Sequence, residues 1–446
     1  MAKDMTSGKP LELIWNFTIP LLIGNLFQQL YNMADTFIVG RTIGVNALAS
    51  VGSTGSIVFL IIGFATGLTA DLAIPLAQRF GAKDYKGVKH SFYVSILISL
   101  VVAIVLTALS MIFCRQILEI MQTPSEIIDG AYDYLMVIFG GIFSSMAYNL
   151  LSNIFRSIGD AKTPLYFLVV ACIMNIVLDI AFIAGLGMGV EGAGYATVVS
   201  QIFSAIACVV YIWKKIPVLR LTKEDLVVTQ KDIREHCRIS FPMAFQASII
   251  AIGTIMVQIA LNQLGPTSVA AHTAAQKIDQ LAILPMMSFG VTMATYSAQN
   301  YGAKKYDRIW LGVRECIKLS LTFAIGIGII SNLFSPLLIR AFVGEGHEEV
   351  VELGRLFFLT NGTTYSFLSL LFIYRYTLQG VGKTFTPTLA GIMELIMRSI
   401  AAVVLSNMYG FVGATVANPM AWFGSMVPLM IAYYVFKNKI QNGAEQ

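Results

Sequence analysis

Twelve apolar runs, each about long enough to cross a lipid bilayer, decide what this chain can fold into. A spanning helix takes roughly 20 predominantly apolar residues. Runs of that kind fall near residues 12–39, 46–75, 91–114, 130–155, 164–186, 193–213, 237–262, 268–297, 309–333, 350–379, 386–408 and 412–436. The connections are short, except for one basic stretch from Lys214 to Arg238. Only 12% of the 446 residues are charged, about half the ~25% of a soluble domain. An outer-membrane barrel is excluded by run length, because its strands show about ten alternating residues each. The fold class is therefore an all-α polytopic membrane protein with 12 transmembrane helices.

The net charge of +5 would suggest nucleic acid in a soluble protein. Here the basic residues sit between apolar runs and report topology instead, so no nucleic-acid partner is expected and membrane lipid is the surrounding medium. One set of connections carries Lys3 and Lys9, then Arg79, Lys83, Lys86 and Lys89, then Arg156 and Lys162, the Lys214–Arg238 stretch, Lys304, Lys305 and Arg308, Lys383, and Lys437 with Lys439. The alternate set is nearly bare of them. The positive-inside rule then places both termini in the cytoplasm of a multi-pass protein of the cell membrane. Met1–Asp4 does not open a cleavable signal peptide, so the first span directs insertion. The five cysteines are isolated, which supports neither a disulfide framework nor a zinc site. Gly380-Val381-Gly382-Lys383-Thr384 imitates the end of a phosphate-binding loop, but Thr377 stands where the first glycine belongs and no strand precedes it. No nucleophile–base–acid set occurs, so an enzyme is not expected, and neither is a cofactor.

The two halves of the chain repeat. Ala77-Gln78-Arg79-Phe80-Gly81-Ala82-Lys83 returns as Ala298-Gln299-Asn300-Tyr301-Gly302-Ala303-Lys304, an offset of 221. Pro20 answers to Pro242, Gly44 to Gly265, Gly159 with Thr163-Pro164 to Gly382 with Thr386-Pro387, and Gly189 to Gly410, at offsets of 221–223. Six spans per half give the repeats one orientation, related by an axis along the membrane normal. The expected organisation is a six-helix N-terminal bundle over 1–215, a cytoplasmic linker over 216–238 and a six-helix C-terminal bundle over 239–446.

Within the first span stands Asp35. An aspartate at the centre of a spanning helix costs about 2.5–3.5 kcal/mol, and such residues face cavities or partners. In the fifth span Asn175 and Asp179 are four residues apart and share a helix face; Thr197 in the sixth adds a hydroxyl. Two carboxylates in a low-dielectric site cannot both ionise cheaply. They share a proton, or a sodium ion bound by hard oxygen ligands holds both ionised. The plain alternative is interhelical hydrogen bonding worth about 0.6 kcal/mol per contact, for which an Asn or Ser would serve as well. Glu394 and Arg398 form an i,i+4 pair, read either as a self-neutralised buried ion pair holding helices in register or as a cavity-lining pair that meets a ligand or gates an opening. Asp279, with Lys277 close by, admits the same two readings. Gln29, Tyr31 and the methionines Met33, Met174, Met256 and Met287 are further candidates for an adaptable cavity, since soft side chains suit promiscuous binding; packing and lipid contact are the competing roles.

Pro20 with Tyr31–Gly40, the Ala-Gln-x-x-Gly-Ala-Lys loop in both halves, Arg156–Pro164, and Leu378-Gln379-Gly380-Val381-Gly382 together make the chain resemble the multidrug and toxic compound extrusion (MATE) family. The resemblance implies two pseudo-symmetric six-helix bundles forming a V-shaped transporter. It also implies a monomeric secondary antiporter of a bacterial inner membrane, which exports amphipathic, often cationic small molecules in exchange for protons or sodium ions. The seventh span, Phe245–Gln258, holds no acid, which resembles the DinF-type branch and points to Asp35, Asn175, Asp179 and Thr197 as the cation-coupling cluster. A lipid-linked precursor flippase of the wider superfamily is the alternative.

Overall fold

Every apolar run folds as helix, because in hydrocarbon each backbone N–H and C=O must find its partner within the segment. The computed structural model describes residues 3–121 and 123–443, and no strand occurs among them. In the first half the helices are α1 (Pro10–Thr42), α2 (Val45–Leu72), α3 (Ile74–Gly81), α4 (Tyr85–Ile120), α5 (Ile128–Gly140), α6 (Ile142–Ser157), α7 (Lys162–Asp179) and α8 (Glu191–Lys215). The second half holds α9 (Gln230–Gln263), α10 (Pro266–Gly302), α11 (Tyr306–Val343), α12 (Glu348–Asn361), α13 (Tyr365–Gly380), α14 (Phe385–Ile400), α15 (Ser406–Thr415) and α16 (Ala417–Gln441). Among the described residues 11 helices are long and apolar enough to cross a membrane, and α5 with α6, bent by 47°, makes a twelfth if the pair is one span.

The sequence expects one run over 130–155 where α5 and α6 stand. Gly140 and Gly141 occupy the bend, and the Gly141 N–H bonds both the Val137 and Ile138 carbonyls; glycine pairs are a recognised cause of such kinks. A Cβ on Gly141 would lie 2.2 Å from the Val198 side chain, so the glycine also admits α8 at close range. The last two spans meet at Val416 rather than at 409–411. Gly410, at φ 59°, lies inside α15 instead of ending a span.

The chain divides into two compact units, and the division differs from the expected one. The first unit is Ile23–Ala244 with Lys3 and Asp4; the second is Met5–Leu22 with Phe245–Gln446. The first turns of α1 thus pack within the second unit, and the first turns of α9 within the first. Both borders fall two residues after a proline, Pro20 and Pro242, each inside its helix. Proline removes a backbone hydrogen bond and weakens the helix at that point. The borders are 222 residues apart, the spacing of the repeat.

In the first unit Leu68, Leu72, Leu76, Phe139, Ile142, Ile154 and Phe155 form the core. In the second, Leu261, Ala271, Ala275, Phe357 and Phe358 do so. The outer face of α4 exposes Val101, Ile104, Val105 and Ile112, the apolar surface that a bilayer covers. Repeat positions share their backbone conformation as well as their residues. Lys83 and Lys304 both adopt positive φ, 59° and 56°. In each loop the next N–H returns to a helix carbonyl, Asp84 to Arg79 and Lys305 to Asn300, the wrap that ends helices at a left-handed residue. Gly159 and Gly382 repeat it at φ 82° and 79°.

The connection from Lys214 is ordered. Thr222 and Asp225 form a reciprocal capping box, Asp225 lies 3.9 Å from Lys89, and Asp232 lies 3.0 Å from His90. The Thr222 hydroxyl, hydrogen-bonded to Asp225, holds that carboxyl below its ordinary range, with the Thr222 N–H, Lys89 and Lys86 reinforcing it against the effect of burial.

Candidate functional site

Asp35 projects from the part of α1 that belongs to the first unit and is 9% exposed; Asn175 and Asp179 on α7 are fully buried. The carboxyl groups of Asp35 and Asp179 lie within hydrogen-bonding reach of one another. Set so that both its ends are satisfied, the Asn175 amide donates to Asp179 Oδ2 at 3.0 Å and accepts from the Thr197 main-chain N–H at 3.1 Å; amide orientation is assigned from the network in this way. The Thr197 hydroxyl on α8 meets the Tyr31 hydroxyl at 3.0 Å. Helix α1 and the consecutive pair α7 and α8, far from it in sequence, therefore bring Asp35, Asn175, Asp179, Thr197 and Tyr31 into one cluster. Tyr134, on α5, is within electrostatic reach of both carboxylates.

The backbone changes at this point. Directly after Asp179 the helix widens into a π-helical turn, Ile180–Gly185, a rare geometry that recurs at functional sites. A second π-helical turn, Ala401–Leu405, begins 221 residues later in the other unit. Asp35 Oδ1 and Asp179 Oδ1 receive no protein donor. Among the described residues no group of three or more His, Cys, Asp or Glu gathers. The two carboxylates and the two hydroxyls are hard donors of the type that sodium takes. The Asn175 oxygen, turned to the Thr197 N–H, is not among them.

In the second unit Glu394 and Arg398 do pair, Arg398 Nη2 to Glu394 Oε1 at 2.8 Å, and both are buried. A third member, which the i,i+4 spacing does not reveal, joins them: Arg375 on α13 donates to Glu394 Oε2 at 2.7 Å and to Ser425 Oγ at 3.2 Å. One carboxylate thus serves two guanidinium groups, and the cluster is not self-neutralised. Arg375 carries the same signal that singled out Asp35, a charge inside an apolar run. Asp279 is not paired with Lys277, which is exposed; residues two apart leave a helix on different faces. Its partner is the Tyr365 hydroxyl, donating at 2.6 Å. Of the cavity candidates, Gln29 is half-buried and accepts from Asn32 at 3.4 Å. Met33 is 56% exposed on α1, while Met174, Met256 and Met287 are half-buried.

The MatE family model matches residues 20–181 and again 242–404, starting each time at the proline that precedes a unit border. The chain is similar to the probable multidrug resistance protein YoeA of Bacillus subtilis, 26% identical over 453 residues that cover 97% of this chain and 96% of that protein. It is also similar to the probable multidrug resistance protein NorM of Thermotoga maritima, 25% identical over 437 residues covering 96% and 90%. Among solved structures, MATE in the bent conformation superposes with a TM-score of 0.91 at 22% identity, covering 99% of this chain and 98% of that one; this likeness is one of fold.

Proposed function

The chain belongs to the MatE family of membrane transporters, and from that premise we propose that it is a proton-coupled antiporter of the cell membrane, exporting amphipathic cationic small molecules as a monomer. The observation that carries the reading is the pairing of Asp35 with Asp179. Two carboxyls in hydrogen-bonding contact share one proton, because ionising both in an apolar site is costly. Alternating access then gives the pair a task. Opened to the outside it takes up a proton, and opened to the cytoplasm it gives the proton up, with substrate leaving in the opposite half of the cycle. The multidrug relatives support an amphipathic substrate.

Proton is preferred to sodium on the ground of Asn175. Its amide donates to Asp179 rather than offering oxygen to a cation, which leaves a sodium ion short of one neutral ligand. The hydrogen bond between Tyr31 on α1 and Thr197 on α8 ties α8 to the cluster. One-for-one exchange of a proton and a monovalent cation is driven by the pH difference alone, about tenfold accumulation per pH unit.

The test is uptake of ethidium into proteoliposomes under separately imposed proton and sodium gradients. Wild type should concentrate the dye under the proton gradient only, and Asp35→Asn should bring it no further than equilibration. Unchanged coupling in Asp35→Asn, or accumulation driven by sodium alone, overturns the proposal.

A further inference from the structure

An apolar groove runs along α4, α6 and α8 in the first unit, remote in sequence from the Asp35 helix, and has a volume of about 470 Å³. That is the size of a small-molecule pocket, roughly 300–1,000 Å³. Leu100, Phe143 and Val209 stand exposed along it, and the small, half-buried Ala147 also lines it. Hydrocarbon makes up its wall except for Ser99 and, at one end, Trp213 and Arg220. Trp213 is the kind of residue that settles at a membrane–water interface.

We propose that this groove binds an anionic phospholipid, with one acyl chain along the helices and the phosphate on Arg220. The charged end is built rather than incidental. The linker folds back over the end of α8 through a 3-10 turn, Pro217–Leu219, anchored by buried Ile216 and Leu219. Arg220 Nη2 then donates to the Lys214 carbonyl at 3.2 Å, which fixes the guanidinium beside the mouth of the groove with its remaining N–H groups available. Among the described residues Arg220 makes no ion pair. Lys214 and Lys215 end α8 at the same place, and Lys223 follows. Of the nearby acids, Asp225 is already engaged by Thr222, and Glu224 is the other. The surplus of positive charge beside an apolar slot is complementary to a phosphate carrying a hydrocarbon chain. Basic pockets between spanning helices recognise anionic headgroups by this arrangement. A free phosphate would leave the slot unfilled, and a zwitterionic lipid would gain little from Arg220.

The test uses the full-length protein in nanodiscs of phosphatidylcholine containing phosphatidylglycerol, with retained lipid counted by native mass spectrometry. Wild type should retain phosphatidylglycerol in preference. Arg220→Gln should lower the retained ratio of phosphatidylglycerol to phosphatidylcholine about fivefold, the effect of one basic residue at an anionic surface. Ala147→Phe, which fills the slot, should lose both lipids. A measurement on wild type removes dependence on the variants: phosphatidylglycerol brominated in its acyl chain should quench Trp213 fluorescence more than brominated phosphatidylcholine, with Trp213→Phe as the blank. Equal retention or equal quenching by the two lipids in wild type overturns the proposal, as does an undiminished preference in Arg220→Gln. Binding of inorganic phosphate that displaces no lipid overturns it as well.

Discussion

Replacing Glu394 with glutamine should destabilise the second unit more than removing either arginine beside it. The carboxylate accepts from Arg375 at 2.7 Å and from Arg398 at 2.8 Å, and all three residues are at most 5% exposed. Glu394→Gln leaves two buried guanidinium groups facing each other with no counter-charge. Breaking a buried pair by removing one partner costs about 3–5 kcal/mol, and here both cations lose the same partner, so the upper end applies. Arg398→Met differs in kind. It leaves Arg375 with Glu394 and Ser425, a neutral and hydrogen-bonded remainder. One charge-assisted hydrogen bond is lost, worth about 1.5–3 kcal/mol, but one buried charge no longer needs to be desolvated. The net cost should stay below about 2 kcal/mol. Adding Arg398→Met to Glu394→Gln removes one of the two stranded cations and should recover at least ~1 kcal/mol. The assay is equilibrium unfolding in mixed micelles titrated with SDS, followed by tryptophan fluorescence. A Glu394→Gln variant within about 1 kcal/mol of wild type, or an Arg398→Met variant less stable than Glu394→Gln, would refute the charge-count reasoning.

Three further outcomes follow from particular contacts. A Cβ on Gly328 would lie 2.4 Å from the Gly362 carbonyl oxygen, whereas one on Gly326 meets nothing within 4 Å. Gly328→Ala should therefore cost about 1–3 kcal/mol and Gly326→Ala should be neutral or slightly stabilising, read from the same SDS titration; equal behaviour refutes the packing. Tyr365→Phe removes the hydroxyl that donates to Asp279 and should cost about 1–3 kcal/mol, a loss that Tyr365→Phe combined with Asp279→Leu should reduce. The carboxyl of Asp225, held below its ordinary range by Thr222, contributes stability that is present above the unfolded value of about 3.9 and is lost as pH falls through the folded one. Hydrogen exchange across 222–226, corrected for intrinsic rate, should thus be flat near neutrality and rise under stronger acid. Asp225→Asn should show the faster exchange at neutral pH, and equal protection in the two proteins refutes the capping role.

Hydropathy settled the spans because it is a local property. A run of apolar residues must become helix in hydrocarbon whatever surrounds it, and the repeat is likewise written in residue identities such as Ala77 and Ala298. The i,i+4 spacing of Asn175 with Asp179, and of Glu394 with Arg398, is fixed once the segment is helical. Those relations needed no tertiary structure. Others could not be had without it. That Asp35 reaches Asp179, that Arg375 joins Glu394 across 19 positions, and that Tyr365 rather than Lys277 attends Asp279 depend on which helix faces pack together. Faces are chosen by shape, by small residues such as Gly141 and Gly328, and by the cost of stranding a buried polar group, and none of these can be read along one helix. The partition of α1 is of the same kind. Pro20 marks a weak point in the sequence, but only packing decides that the turns before Leu22 belong to one unit and those after it to the other. Residue identities suffice to place a carboxylate in an apolar run at position 35; what it faces depends on folding, because Asp179 comes from α7, far away in the chain.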